Sequence, residues 1–207
     1  MSYIRTKICG ITNIEDALCA AENGADAIGL VFFAKSPRCV SLENAQKIVA
    51  KLPPFVSVVG LFVNQNSDEI QHIINSIPVD YLQFHGDEDE AFCQQFNRPY
   101  IKAVRVQNSN DIQAALNSFK TARALLFDAY HPQEYGGTGD SFDWDMLPEN
   151  INRPWILAGG LTLDNVQSAI KQSNAQAIDL SSGVEIRKGI KDHSKIKALM
   201  QKLSSVL

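Results

Sequence analysis

Apolar positions along this chain alternate between two patterns. Ile14, Ala17, Leu18 and Ala21 repeat at i, i+3, i+4 and i+7, the signature of one buried helical face. "TNIE" (12–15) just before them has the S/T-x-x-E form of a capping box. Gly24 follows, at the place where a helix end accepts a left-handed residue. "DAIGLVFF" (26–33) then runs apolar without alternation. A strand covered on both faces reads this way, as in a parallel sheet. A first strand precedes all of this, starting near Tyr3 and ending at Cys9, with Gly10 next in the chain.

The unit recurs. Ser41 is expected to cap a helix bearing Ala45, Ile48, Val49 and Leu52, stopped by Pro53 and Pro54. "VSVVGLFV" (56–63) is the third strand. Ser67 is expected to cap the helix of Ile70, Ile73, Ile74 and Ile77, which stops at Pro78. "DYLQFH" (80–85) is the fourth strand, with a helix over 88–97. "YIKAVRV" (100–106) leads to the helix of Ile112, Ala115, Leu116 and Phe119. "RALLFDA" (123–129) is the sixth strand, followed by the longer loop "YHPQEYGGTGDSF". "WILAGG" (155–160) precedes the helix of Val166, Ala169 and Ile170. "AIDLSSG" (177–183) is the eighth strand, and Ile196, Leu199, Met200 and Leu203 mark the last helix.

Eight strand-and-helix units in 207 residues match a single-domain α/β protein, a (β/α)8 TIM barrel over 1–207. The alternative is an open doubly wound sheet. Eight units with no chain left over favour closure.

Composition narrows the function. The net charge is −4 with no basic face, which excludes sequence-independent nucleic-acid binding. The longest apolar runs are too short to span a bilayer, and "MSYIRTKICG" has no signal-peptide layout. A cytoplasmic monomer is the expectation, with no membrane or nucleic-acid partner. Cys9, Cys19, Cys39 and Cys93 show no C-x-x-C pairing and no metal-ligand spacing to His. They read as reduced thiols, with no metal and no cofactor expected.

In a barrel, chemistry gathers where the strands end. Strand one ends in Cys9, and "KSPR" (35–38) follows strand two. Strand four ends in "HGD" (85–87), strand six in Asp128, and strand seven in Gly159 and Gly160. Strand eight carries Asp179 and then "SSG" (181–183). Each has a plain structural use. A free cysteine is commonly a small buried hydrophobe, an aspartate after a strand commonly a turn former, and an arginine beside proline a solvated charge. Cys19 and Cys93, inside helices, keep that plain reading. Lys7 shares the parity of Cys9 and, if it points inward, needs a partner; Asp179 is a candidate, because strands one and eight adjoin in a closed barrel. Glycine-rich loops after strands seven and eight are where barrels commonly hold a phosphate on backbone N–H groups. An arginine opposite them suits a substrate with an anion at each end.

"KICGIT", "KSPR", "QFHGDE", "LLFDA", "EYGGTG", "LAGGL" and "DLSSGVE" together resemble the phosphoribosylanthranilate isomerase family of tryptophan biosynthesis, from residue 5 to the last helix. Cys39 stands where that family often has an aromatic, and Phe84 where it often has Leu. The resemblance implies a cofactor-independent aldose–ketose isomerase, an Amadori rearrangement of a small phosphosugar substrate. It implies Cys9 as general base, Asp128 as general acid and Arg38 on the substrate carboxylate. His85 and Asp179 would bind substrate, and Gly159, Gly160, Ser182 and Gly183 its phosphate. The 130–141 loop is a candidate lid. The acid must be protonated near neutral pH, and the thiolate needs a cation such as Lys7 to bring its pKa down. The rivals are another phosphosugar barrel, such as an indole-glycerol-phosphate synthase or a histidine-pathway isomerase, or a non-catalytic phosphate-binding barrel.

Overall fold

The computed structural model describes residues 4–130, 141–148 and 150–204. Eight parallel strands close in chain order: β1 (Arg5–Cys9), β2 (Ala27–Val31), β3 (Ser57–Phe62), β4 (Tyr81–Phe84), β5 (Tyr100–Val106), β6 (Ala124–Ala129), β7 (Trp155–Leu157) and β8 (Ala177–Leu180). The helices between them are α1 (Ile14–Glu22), α2 (Leu42–Val49), α3 (Ser67–Ser76), α4 (Glu90–Gln94), α5 (Ser109–Ser118) and α6 (Val166–Ser173). After β8 comes a hairpin, β9 (Glu185–Arg187) and β10 (Ile190–Lys191), and then α7 (His193–Ser204). The sheet is the closed barrel expected from the repeat, and the open-sheet alternative falls.

Several local expectations shift. The cap of α1 is Asn13, whose side chain accepts from the Asp16 N–H. Thr12 instead turns its hydroxyl to the Gly189 carbonyl and ties the first loop to the hairpin. Asn66, not Ser67, caps α3. An Asn carbonyl serves this role as well as a hydroxyl does. Ser41 caps α2 as expected, and Gly24 is left-handed at φ +96°. Most strands are trimmed by one or two residues at their ends. Among the described residues, the β6–β7 connection contains only a single 3₁₀ turn, Trp144–Met146. The hairpin has no counterpart in the sequence reading, because its strands of three and two residues are too short to show a period.

The apolar runs serve two cores. Outward-facing strand residues such as Ile8, Leu30, Phe62, Leu82, Phe127 and Leu180 pack against the helix faces. Inward-facing residues form a small-residue layer around Ala103, Ala124, Leu126 and Ala158. Above it lies a separate apolar cluster of Cys9, Val31, Leu61 and Val63 at the C-terminal mouth. Two faces buried at once explain the lack of alternation. Adjacent seams differ: β5 and β6 share six register pairs, whereas β7 and β8 share one, Leu157 with Ile178.

Phe84 is fully buried and sits within ring contact of Phe62, Phe92, Phe96 and Tyr100. Phe84→Ala is expected to cost about 3–5 kcal/mol of unfolding free energy. Urea denaturation followed by circular dichroism measures it.

Candidate active site

The C-terminal mouth opens onto one cavity of about 80 Å³. Cys9, Arg38, His85, Asp128, Asp179, Gly159, Gly160 and Ser182 all line it. Gly183 does not: a Cβ there would run into the Leu161 carbonyl, so its smallness serves the packing of the two anion loops against each other. The suggested lid at Gly136–Gly139 lies outside the described residues.

Gly10 answers to the end of β1. Its φ of +75° suits glycine, and a Cβ on it would stand 2.6 Å from the Arg38 side chain. The glycine lets the chain turn away from Cys9 while Arg38 crosses close above. Gly29, beside Cys9 in β2, leaves the sulfur its space; a Cβ there would lie 2.7 Å from Sγ.

Beneath the sulfur, Lys7 Nζ donates to Asp179 Oδ2 at 2.6 Å, with both groups buried. This is the pair that strand parity suggested. Burial works against the Lys7 ammonium, but the Asp179 carboxylate and the Cys9 sulfur together outweigh it and raise its pKa. Lys7 is therefore a fixed cation. Its effect on Cys9 differs from the expectation. Burial pushes the thiol up, Lys7 pulls it down, Asp179 pushes it up again, and the net result is a raised pKa. Burial is the largest of these effects and outweighs the pull of Lys7. The second oxygen of Asp179, Oδ1, has no partner among the described residues.

Across the mouth, His85 Nε2 stands 3.1 Å from Asp128 Oδ2. Asp128 Oδ1 accepts from the Ala129 N–H at 2.9 Å. On the other side of the ring, Gln83 Nε2 lies 3.1 Å from His85 Nδ1. An amide nitrogen can only donate, so Nδ1 accepts and the hydrogen of a neutral His85 sits on Nε2.

Arg38 is not the solvated loop charge of the plain reading. Its Nε and Nη2 both donate to the Glu185 carboxylate at 2.8 Å, a bidentate fork. Lys191, with its side chain wholly buried, donates to the same carboxylate at 2.9 Å and to the Ser181 carbonyl. Burial works against the Glu185 carboxylate, but the Arg38 fork and Lys191 outweigh it and lower its pKa. Two cations share one carboxylate, so the cluster carries one net positive charge into the mouth. Glu185 and Lys191 were missed in the sequence. Glu185 belongs to the "SSGVE" motif, but its partner lies 147 residues away. Gln83 was missed too, although it has the parity of His85 two positions on.

The loops after β7 and β8 turn sharply. Gly159 and Gly160 are left-handed at φ +83° and +57°. Asn165 braces the first loop, accepting from the Thr162 N–H and donating to the Gly160 carbonyl. Among the described residues, the N–H groups of Gly160, Ser182 and Gly183 donate to no backbone carbonyl. They suit a bound oxyanion. No group of three or more His, Cys, Asp or Glu among the described residues could hold a metal ion, and no helix there is long and apolar enough to cross a membrane.

Since the Cys9 pKa is raised, alkylation of Cys9 by iodoacetamide is expected to set in at a higher pH than for an ordinary thiol. Lys7→Met should move the onset further up and Asp179→Asn should move it down, as mass spectrometry of quenched samples will read. Lys7→Met also strands a buried carboxylate, and urea unfolding should show a loss of about 3–5 kcal/mol.

The family model for N-(5'-phosphoribosyl)anthranilate (PRA) isomerase matches residues 6–202. The N-(5'-phosphoribosyl)anthranilate isomerase of Neisseria meningitidis serogroup A is 60% identical over 200 residues, 97% of this chain and 96% of that protein. The crystal structure of phosphoribosyl anthranilate isomerase from Thermotoga maritima superposes with a TM-score of 0.90 at 41% identity, covering 98% of this chain and 99% of that one. A further crystal structure of the isomerase, in complex with reduced 1-(o-carboxyphenylamino)-1-deoxyribulose 5-phosphate, matches with a TM-score of 0.83 at 38% identity, over 98% and 99% of the two chains. A family match spanning nearly the whole barrel, on a chain whose strand ends carry the same motifs, leaves one assignment: this chain belongs to the N-(5'-phosphoribosyl)anthranilate isomerase family.

Proposed function

We propose that this chain performs the Amadori rearrangement of N-(5'-phosphoribosyl)anthranilate to 1-(2-carboxyphenylamino)-1-deoxyribulose 5-phosphate, with Asp128 as general acid and Cys9 as general base. The observation that carries this reading is that a thiol on β1 and a carboxyl on β6 line one cavity, together with the Arg38 guanidinium and the glycine loop after β7.

The substrate has a carboxylate at one end and a phosphate at the other. The phosphate lies on the free N–H groups after β7 and β8, held by backbone dipoles. The carboxylate meets Arg38. Glu185 occupies the Nε–Nη2 edge of the guanidinium, so the substrate takes the remaining Nη1–Nη2 end. The apolar wall of Val31, Leu61 and Val63 covers the aromatic ring. Asp179 Oδ1, unpartnered and facing the cavity, accepts a ribose hydroxyl.

Ring opening requires a proton on the ring oxygen as the C–O bond breaks, and Asp128 gives it. The nitrogen lone pair forms the new C=N bond, leaving an iminium. That cation acidifies the hydrogen on the adjacent carbon and lies close to Cys9. The raised thiol pKa of the free protein acquires a purpose here. The sulfur holds its proton until a positive charge forms in front of it, and then releases that proton to solvent to become the base. The thiolate takes the carbon-bound proton, the electron pair moves to the iminium, and the resulting enolamine tautomerises to the ketone.

Cys9→Ala and Asp128→Asn are each expected to fold and to lose at least about 100-fold in kcat/KM. The fall in fluorescence of the anthranilate adduct follows the reaction, and near wild-type turnover in either variant would falsify its assigned role. A non-catalytic binding barrel would leave the fluorescence of the adduct unchanged. Arg38→Lys keeps the charge and loses the fork; Glu185→Gln keeps the shape and loosens the fork. Both should raise KM several-fold with kcat less affected, since a guanidinium–carboxylate contact serves ground and transition states alike.

A further inference from the structure

We infer that the side-chain amide of Gln83 is a two-position element that sets the tautomer of His85 and, through it, whether Asp128 holds the proton it must donate. The inference rests on the acid role proposed for Asp128. Gln83 lies fully buried in β4 and lines the same cavity.

The hydrogen bonds run in one direction along the chain. Gln83 Nε2 donates to His85 Nδ1, and His85 Nε2 then donates to Asp128 Oδ2. Asp128 Oδ1 already accepts from Ala129. Both carboxyl oxygens are acceptors, which describes an acid after its proton has gone. A protonated Asp128 needs Oδ2 to donate. His85 Nε2 must then accept, and Nδ1 must carry the hydrogen. That hydrogen requires an acceptor, and the amide nitrogen of Gln83 cannot be one. A half-turn of the amide brings Oε1 to Nδ1 and satisfies it.

Gln83 Oε1 is available for this. It is buried and without a hydrogen-bond partner among the described residues. After the half-turn Oε1 is satisfied and Nε2 takes the unpaired place. Each position leaves one amide atom unpaired, so the two lie close in energy, and one proton on the Asp128–His85 pair decides between them. The cycle is proton-neutral: the carbon-bound proton replaces the one Cys9 released to solvent, and solvent returns to Asp128 the one it gave to oxygen.

The other charges facing this pair come from neighbouring strands. Asp179 on β8 is paired with Lys7 on β1, beside Cys9. Arg105, level with Asp128 in β5, donates to Asp87. None of them bonds to Gln83, so its replacement isolates the amide.

The test is ¹⁵N NMR of protein labelled at the histidine ring nitrogens, with the His85 signals assigned by their loss in His85→Asn. Wild type without substrate should show a neutral His85 with hydrogen on Nε2. Gln83→Met, close in shape and without an amide, should show mixed tautomers, lose roughly tenfold or more in kcat, keep KM within about twofold, and shift the alkaline limb of the pH–rate profile, where a general acid loses its proton. Gln83→Glu, an acceptor only, should move the hydrogen to Nδ1. Unchanged tautomers in both variants, or an altered tautomer with an unmoved alkaline limb, overturns the inference. The spectra need no turnover: a wild type inert toward the aminoaldose sinks the function above, while the tautomers still decide the coupling.

Discussion

A buried ammonium is tolerable only beside a buried carboxylate, and this barrel places that pair at its closing seam. Lys7 on the first strand and Asp179 on the last stand level in register and meet at 2.6 Å. Removing either partner leaves an uncompensated charge in the interior, which is far costlier than lacking the pair altogether. The pair therefore fixes the register of β1 against β8, and with it the height of Cys9 and of the loop after β8. It also sets the surroundings of the sulfur, on which Lys7 and Asp179 act with opposite sign.

The mouth divides into two polar systems with an apolar band between them. One is Lys7, Asp179 and Cys9 on β1 and β8. The other is Gln83, His85 and Asp128 on β4 and β6. They share no direct hydrogen bond, so Cys9 and Asp128 are adjusted by different neighbours. Arg38 stands apart again, held by Glu185 and Lys191 from the hairpin. Its rigidity is borrowed from a segment outside the eight-fold repeat.

The sequence told most about what repeats and least about what does not. Apolar runs in β2, β3 and β6 mark themselves because both of their faces are buried, and helix faces mark themselves by period. Cys9 and Asp128 were visible because reactive residues at strand ends stand out against apolar runs. The Lys7–Asp179 pair was legible only because closure makes strands one and eight neighbours. Glu185, Lys191 and Gln83 act through contacts across the fold, and a glutamate or glutamine alone carries no signal of its partner. The capping residues moved by one position because Thr12 adjoins Asn13 and Ser67 adjoins Asn66, and all four side chains are able to cap a helix. The burial of the sulfur, which raises its pKa more than Lys7 lowers it, has no signal in the sequence.

The single register pair between β7 and β8 makes that junction the thinnest part of the ring. The two loops that leave it carry N–H groups that donate to no backbone carbonyl among the described residues. An oxyanion bridging them would act as a clasp across the barrel's least-stitched edge. An anion held there would stiffen the ring at the edge where its own strands pair least.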